Sequence, residues 1–167
     1  MRLALFQPDI PQNTGTLIRL GACLGVPIDI IEPCGFILDD RRLRRSAMDY
    51  AAQAELVRHV NWAAFQASRH GRTVLVETDQ GAPYTDFVFR PGDTLLLGRE
   101  TAGTPPEVAA ACTDRVFIPM RSGVRSLNLA VAASMVLGEA LRQTSGFPEP
   151  DPAHRDPDRS ALPRIDG

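Results

Sequence analysis

The chain has 167 residues, of which 44% are hydrophobic, so it suits one domain with a core of ordinary size. Its formal net charge of −2 gives no overall attraction for nucleic acid, so an RNA partner would need a local basic patch. All 18 basic residues are arginine, which excludes lysine Schiff-base chemistry, a lysine general base and the lysine of a nucleotide-binding P-loop.

The first half of the chain alternates predicted strands and helices. Arg2 to Phe6 is a short apolar strand, residues 7–12 form a proline-stiffened loop, and Asn13 or Thr14 is expected to cap the first helix. A strand over residues 27–32 then completes a βαβ unit. The pattern further predicts a strand over 56–60, a helix over 62–70, a strand over 73–77, a turn at 81–84 and a weak strand or helical turn over 84–89.

The next segment reads as a buried strand, a glycine loop and a short helix. The apolar run from Thr94 to Leu97 is typical of a parallel sheet and stops at Gly98. Thr104 is a candidate N-cap, because Pro105 suits the first helical position and Glu107 lies three residues after the cap.

The last segment of the domain reads as a strand, a polar loop and a long helix. Residues 116–118 form the strand, which Pro119 ends, and Ser126 is expected to cap the helix. The apolar positions of that helix recur at helical spacing, at Leu129, Ala133, Val136, Leu137, Ala140 and Leu141.

This alternation predicts an α/β fold with a mostly parallel sheet covered by helices on both faces. The loops 98–103 and 119–128 follow two of its strands, which we take to be neighbours. An open α/β sheet binds its ligand at the carboxyl ends of neighbouring strands, where helix-start N–H groups and polar side chains converge. These two loops therefore form the candidate site.

Two segments are distinguished by composition. From Phe147 on, prolines alternate with acidic residues, so we expect a folded domain over 1–146 and a disordered tail over 147–167. The tail has three arginines and five acidic residues, which leaves the rest of the chain neutral. The densest basic cluster is Arg41, Arg42, Arg44 and Arg45, which fits either an RNA contact or a solvated face balanced by Asp39 and Asp40.

Other classes are disfavoured by what is missing. The three cysteines form no Cys-x-x-Cys pair and the three histidines no ligand-spaced cluster, so we expect neither a disulfide framework nor a metal site. No segment has the pattern of a signal peptide or the roughly 18 apolar residues of a membrane span. We therefore expect a cytoplasmic protein without a membrane partner.

The candidate loops match neither common nucleotide-binding motif. Thr104 and Pro105 stand where a P-loop needs lysine and serine or threonine, and the first strand is not followed by the Gly-x-Gly of a dinucleotide fold. What remains is a polar set without an obvious base or nucleophile: Asn13, Arg19, Glu100, Ser126 and Asn128. Helix capping or local hydrogen bonding would explain most of them individually.

Three motifs, in order, resemble those of the knotted SPOUT RNA 2′-O-ribose methyltransferases. They are Asn13-x-Gly15-x-x-x-Arg19, Leu97-Gly-Arg-Glu100-x-x-Gly103 and Ile118-Pro-Met followed by Ser126-Leu-Asn128. The resemblance covers about residues 1–145 and is closest to the short members that methylate the wobble nucleotide of tRNA, which residues 31–36 and 39–45 also resemble. The chain departs from these relatives at Arg99, where they often have proline or serine, and at Thr104.

This resemblance implies a trefoil knot formed by the last strands and helix, and a homodimer whose sites are built across the interface. It implies S-adenosylmethionine as methyl donor and the ribose 2′-hydroxyl as acceptor. The implied catalytic residues are Arg19, Asn13, Glu100 and Asn128; the implied cofactor-binding residues are Glu77, Gly98, Gly103, Ile118, Met120, Ser126 and Leu127; Arg41, Arg42, Arg44 and Arg45 would bind RNA.

The implied substrate is the wobble ribose, position 34, in the anticodon loop of a leucine tRNA with cytidine or modified uridine there. Because arginine keeps its proton in proteins, we interpret Arg19 as a group that binds the adjacent phosphate and stabilises the developing alkoxide. The alternatives are 2′-O-methylation of another tRNA or rRNA nucleotide, and a catalytically silent RNA-binding module with the same fold.

Overall fold

The computed structural model describes residues 1–38, 50 and 52–149. The predictions of RNA binding by Arg41, Arg42, Arg44 and Arg45, and of a disordered tail from residue 150 on, concern residues outside these ranges. Within them, the strands are β1 Arg2–Phe6, β2 Ile28–Ile31, β3 Leu56–His59, β4 Thr73–Glu77, β5 Ala82–Pro83, β6 Thr94–Leu97 and β7 Asp114–Phe117. The helices are α1 Pro11–Leu24, α2 Trp62–Ser68, α3 Pro106–Ala110 and α4 Leu129–Gln143.

The strands form one seven-stranded parallel sheet in the order β3-β2-β1-β6-β4-β7-β5. Strands β1, β2 and β6 carry almost nothing but buried residues, as expected when helices cover both faces. On one face, side chains such as Leu17 of α1 and Val136 of α4 pack together; on the other, Phe65 of α2 packs with Val108 of α3. The predicted α/β fold is thus confirmed.

The strand order corrects one expectation. Strands β6 and β7 are not neighbours, because β4 lies between them and pairs with both. Since every strand runs in the same direction, the loops that follow β4, β6 and β7 still leave the sheet at the same edge. The ligand-binding edge therefore has three contributing loops rather than two.

Helix α1 begins earlier than the sequence suggested. It starts at Pro11 after an extended Ile10, and no side chain caps it, so the prediction that Asn13 or Thr14 is its N-cap was wrong. Proline at the first helical position lacks only an N–H that would have no partner in the helix anyway. The consequence is that the Asn13 side chain is available to the candidate site.

The caps of the two later helices also differ from the prediction. Helix α3 starts at Pro106 without a side-chain cap, so Thr104 does not cap it. Helix α4 is capped by Asn128 rather than Ser126: Asn128 Oδ1 accepts hydrogen bonds from the backbone N–H of Ala130 at 2.9 Å and of Val131 at 3.3 Å. Ser126 is left in the polar loop before the helix.

The other differences are small. Strand β7 ends at Phe117, so Ile118 belongs to the following loop, and Ala82–Pro83 is a two-residue strand where a turn was expected. Residues 84–89 form a turn and irregular chain rather than a strand. No helix among the described residues is long and apolar enough to cross a membrane.

Candidate active site

A cavity of about 400 Å³ opens at the edge of the sheet where β4, β6 and β7 end. Its lining comes from five segments: Ile10 and Asn13 near the start of α1; Val76, Glu77 and Thr78 at the end of β4; Arg99, Glu100 and Gly103 after β6; Ile118 and Met120 after β7; and Ser126, Leu127, Asn128, Leu129 and Ala132 around the start of α4. Segments far apart in the chain therefore form one site.

Most of the residues selected from the sequence line this cavity. Of the expected catalytic residues, Asn13, Glu100 and Asn128 do so; of the expected cofactor-binding residues, Glu77, Gly103, Ile118, Met120, Ser126 and Leu127 do so. Gly98 and Arg19 are not part of the lining. The structure thus brings all three motifs together at one cavity. Every candidate residue that it describes, except Gly98 and Arg19, lines that cavity.

A chain of side-chain hydrogen bonds joins the three motifs. Asn128 Nδ2 donates to Asn13 Oδ1 at 2.9 Å, and Asn13 Nδ2 donates to Glu100 Oε1 at 3.3 Å. Since Asn128 Oδ1 is already held by the N-terminus of α4, both amides are fixed in orientation. Asn13, in the middle of this network, is only 9% exposed, whereas Glu100 is partly buried and Asn128 is exposed.

Asp9 connects the loop after β1 to the loop after β6, and sequence reasoning missed it. Its backbone N–H donates to Glu100 Oε2 at 3.0 Å, while its carboxylate accepts from the backbone N–H of Glu100 at 3.2 Å and of Thr101 at 3.3 Å, and from the Thr101 hydroxyl. Its partners lie 91 and 92 positions away, so no local pattern could have indicated the role.

Burial and neighbouring hydrogen-bonding groups shift the pKa values of these acids. Burial raises the pKa of Glu100, and the Asp9 carboxyl raises it further, against the opposing effect of the donors Asp9 N–H and Asn13. For Asp9, burial acts to raise the pKa, but hydrogen bonds with Glu100 and Thr101 outweigh it and lower the pKa. Burial also raises the pKa of Glu77. The two acids that line the cavity, Glu77 and Glu100, therefore both have a pKa above that of an exposed glutamate.

Gly98 lies at a point of close approach between the end of β6 and the loop that returns to it. A Cβ there would collide with the Thr104 hydroxyl oxygen and would lie 3.0 Å from the carbonyl carbon of Gly103. The glycine is therefore needed for packing between the strand end and the loop. Its assignment as a cofactor-binding residue stays a prediction.

Arg19 lies on the exposed side of α1, outside the cavity of its own chain. Its guanidinium carbon is 5.1 Å from the centre of the Tyr50 ring, which places the group over an aromatic face. Asn13, on the same helix, faces the cavity instead. The catalytic assignment of Arg19 likewise stays a prediction.

Sequence reasoning did not select Arg99 as a site residue, although its identity was noted as a departure from relatives. Among the described residues, Arg99 is the one basic side chain that lines the cavity, and its Nε is buried without a hydrogen-bond partner there. The apolar lining residues Ile10, Val76, Leu129 and Ala132, and Thr78, were also missed. Such residues carry no signal that separates a cavity wall from the core.

Comparison with known proteins gives results that agree with this geometry. The profile of the SpoU rRNA Methylase family matches residues 1–138. A tRNA (cytidine(34)-2′-O)-methyltransferase of Beijerinckia indica is 57% identical over 148 residues, which cover 87% of this chain and 92% of the relative. The enzyme of the same name from Escherichia coli K12 is 39% identical over 151 residues, which cover 89% and 96%.

Solved structures also resemble the chain. One of them comes from work on the 2-OH methylation of C/U34 on tRNA. It matches this chain with a TM-score of 0.83 and 41% identity, over 87% of this chain and 96% of that chain. The SpoU methyltransferase AviRb from Streptomyces viridochromogenes, in complex with the cofactor AdoMet, has a TM-score of 0.76 and 28% identity, over 86% of this chain and 60% of that chain.

Proposed function

The chain belongs to the SpoU methylase family, and on this premise we propose that it transfers a methyl group from S-adenosylmethionine to the 2′-hydroxyl of the wobble ribose, position 34, of tRNA. The base at that position is cytidine or a modified uridine, and leucine isoacceptors are the expected acceptors. The relatives named for cytidine 34 methylation, matched over almost their whole length, support this choice of nucleotide.

The observation that carries the proposal is the hydrogen-bonded chain Asn128–Asn13–Glu100. These residues come from three separate motifs, and Asn13 and Asn128 are 115 positions apart, yet they meet at one wall of the cavity. Fixed amides and a carboxyl group can orient a sugar hydroxyl without providing a nucleophile of their own. Positioning of this kind contributes several kcal/mol to a bimolecular transfer, of the order of 7–11 kcal/mol at best.

The cavity suits the methyl donor in size and chemistry. Its volume of about 400 Å³ lies within the range of roughly 300–1,000 Å³ that is usual for small-molecule sites. Val76, Ile118 and Leu129 offer apolar surface for an adenine ring, and Glu77 offers a carboxyl group to a cationic or hydroxylated part of the ligand. When bound, the donor supplies an electrophilic methyl group on a sulfonium.

The remaining steps fall to the chain's own groups. Asn13 and Asn128 would hold the ribose in line with the methyl group, and Glu100, fixed by the Asp9 N–H, would orient the hydroxyl that is to lose its proton. Arg19 would bind the adjacent phosphate and stabilise the developing alkoxide, since a guanidinium keeps its proton and cannot act as the base. The proton of the 2′-hydroxyl would pass to that phosphate or to water.

A homodimer with shared sites accounts for the position of Arg19. The residue is exposed and outside the cavity of its own chain, so it would complete the site of a second copy. Val131 and Met135, which are 47% and 40% exposed, lie four residues apart on one side of α4 and offer apolar surface for such contact. Leu127, which is 40% exposed, lies in the loop just before the helix. We place the folded domain at 1–146 and the protein in the cytoplasm.

The trefoil knot implied by the family is also part of the proposal. Its support is the sheet order, in which the chain leaving β6 must pass β4 before it pairs as β7. Residues 118–128 then return along the same edge to the cavity before α4 begins. A knot in which residues 118–128 pass through the loop that follows β6 would be compatible with this path of the chain.

The deciding experiment uses bulk tRNA from a strain that lacks this protein. The tRNA is incubated with the purified protein and methyl-labelled S-adenosylmethionine, and the modified nucleotide is located by mass spectrometry. We expect label on the ribose of nucleotide 34 and none in the D-loop. Label on a base, or on a ribose outside the anticodon loop, would contradict the assignment, and donor binding without transfer to tRNA or rRNA would favour a silent module.

A further inference from the structure

Arg99 occupies a fixed place in the wall of the cavity. Its backbone N–H donates to the Gly103 carbonyl at 3.1 Å, and the Gly103 N–H donates to the Arg99 carbonyl at 3.0 Å. Gly103 closes this small loop in the left-handed region, with φ of 67°, which glycine adopts without strain. The loop is therefore rigid at its base, and the Arg99 side chain starts from a defined position.

The Arg99 guanidinium has unused hydrogen-bonding capacity. Its carbon lies 5.7 Å from the centre of the buried Phe6 ring, and its Nε is buried without a hydrogen-bond partner in the described part of the chain. Among the described residues it forms no ion pair. A buried donor without a partner is costly, so the Arg99 side chain would gain hydrogen bonds by turning toward an acceptor that a ligand brings into the cavity.

The acids of the cavity do not supply that acceptor. Glu100 is held by the Asp9 N–H and by Asn13, and none of the ion pairs found among the described residues joins Glu77 to Arg99. Asp9 is occupied by Glu100 and Thr101. Among the residues that the structure describes, no carboxylate therefore pairs with the Arg99 guanidinium.

We propose that Arg99 forms an oxyanion-binding subsite inside the cavity, and that it holds a phosphate group of the RNA near the reacting ribose, distinct from the phosphate assigned to Arg19. The planar fork of a guanidinium pairs with two oxygens of a phosphate or carboxylate at once, which an ammonium group cannot do. The same chemistry would suit the carboxylate of the methyl donor, so the experiment separates the two sources. The choice of phosphate rests on the proposed function, because it requires RNA in the cavity.

The test compares Arg99→Gln and Arg99→Lys with the wild type. Arg90→Gln serves as the matched control, because Arg90 is an exposed arginine outside the cavity whose loss changes the net charge equally. Equilibrium binding of tRNA is measured over a series of salt concentrations, and kcat and KM are measured for methylation. S-adenosylhomocysteine and its analogue without the carboxylate are titrated by calorimetry, and circular dichroism checks folding.

For phosphate recognition, Arg99→Gln should weaken tRNA binding and raise KM about tenfold, with the slope of log affinity against log salt reduced by about one unit. Arg99→Lys should restore the salt slope but only part of the affinity, because it keeps the charge and loses the fork. Affinity for both small ligands should stay unchanged, and Arg90→Gln should alter tRNA binding much less.

Two other outcomes are informative. If Arg99→Gln weakens S-adenosylhomocysteine and not the analogue without the carboxylate, the subsite stands and its oxyanion is that of the donor. If neither tRNA binding nor S-adenosylhomocysteine binding changes beyond the Arg90→Gln control in folded Gln and Lys variants, the subsite is ruled out. Both binding assays work without methylation. If the protein methylates no tRNA, the proposed function is refuted, and the binding results still show whether the Arg99 subsite exists.

Discussion

Asn128 donates a hydrogen bond from its side-chain amide to the amide oxygen of Asn13 at 2.9 Å, and this contact fixes the start of the last helix against the first one. The same Asn128 caps α4 through its oxygen, and the same Asn13 donates to Glu100. Neither amide can rotate without losing a partner on the other side, so helix capping and site geometry are coupled.

Asn13→Ala should reduce methyl transfer strongly while leaving a folded protein. The change leaves the Asn128 amide N–H and one Glu100 oxygen without a partner, which should lower the free energy of unfolding by about 1–3 kcal/mol. It also removes the side chain that bridges Asn128 and Glu100. We expect kcat to fall by a factor of about a hundred, as for other lost transition-state contacts. Steady-state kinetics with thermal unfolding checks this; an active Asn13→Ala enzyme would remove the network from the mechanism.

The two roles of Asn128 can be separated by a pair of variants. Asn128→Asp keeps an oxygen for the N–H groups of Ala130 and Val131 but cannot donate to Asn13, whereas Asn128→Ala loses both contacts. The Ala variant should therefore be less stable than the Asp variant by about 1 kcal/mol, the usual contribution of an N-cap. Both should be similarly impaired in activity. Equal stability in denaturant titrations would count against the capping role.

A substitution at Gly98 should act through the loop that packs against it. Gly98→Ala or Gly98→Val places a Cβ against the Thr104 hydroxyl and the Gly103 backbone, so the loop must move, at a cost of roughly 1–3 kcal/mol. Because Gly103 and Glu100 line the cavity, affinity for S-adenosylmethionine should fall as well.

Removal of the colliding side chain provides the control. Thr104→Ala in the Gly98→Ala background should recover part of the lost stability, because the hydroxyl is the nearest obstacle and only the backbone contacts near 3.0 Å remain. Thr104→Ala alone should change little. Calorimetric affinity and midpoint temperature are measured for all four proteins, and strictly additive effects would contradict this account.

The contribution of Glu77 to stability should fall as pH rises through its folded-state pKa. Burial raises that pKa above the ordinary value of 4.5, so the protonated form favours the folded state below pH 4.5 and this advantage is lost at higher pH. Glu77→Gln, which never ionises, should therefore be more stable than the wild type at neutral pH and no more stable below pH 4. Unfolding curves across this range, without ligand, test the sign; a pH-independent difference would exclude ionisation as the cause.

Mixed dimers can decide whether Arg19 acts in the site of a second subunit. Arg19→Ala should bind S-adenosylmethionine normally and lose methyl transfer by a factor of about a hundred or more. If sites are shared, co-refolding Arg19→Ala with Asn13→Ala should restore activity, because one site of each mixed dimer then has both residues. Each variant refolded alone is the control. No recovery, with mixed dimers demonstrated by differential tagging, would place Arg19 in the site of its own chain.

The sequence predicted the bounds of strands well where a short apolar segment is sufficient to identify the strand. The buried run Thr94–Leu97 and the strand Thr73–Glu77 have the predicted bounds, since an apolar run between breakers needs no distant partner to be recognised. The helix starts were less predictable. The sequence predicted Asn13 or Thr14 as the cap of the first helix and Ser126 as the cap of the last, whereas α1 begins at Pro11 without a side-chain cap and Asn128 caps α4. Asn128 also contacts Asn13, 115 positions away, which no local pattern indicates.

The sequence by itself determined the alternation of strands and helices, and it contained three motifs whose polar residues indicated the site. Only the tertiary structure decided that β4 separates β6 from β7, that Asp9 holds Glu100 across 91 positions, and that Arg99 rather than Arg19 lies in the cavity of its own chain. The physical reason is the sequence distance over which each kind of interaction acts. Propensity and periodicity act over a few residues, whereas strand order and these contacts depend on how all the apolar faces are buried at once.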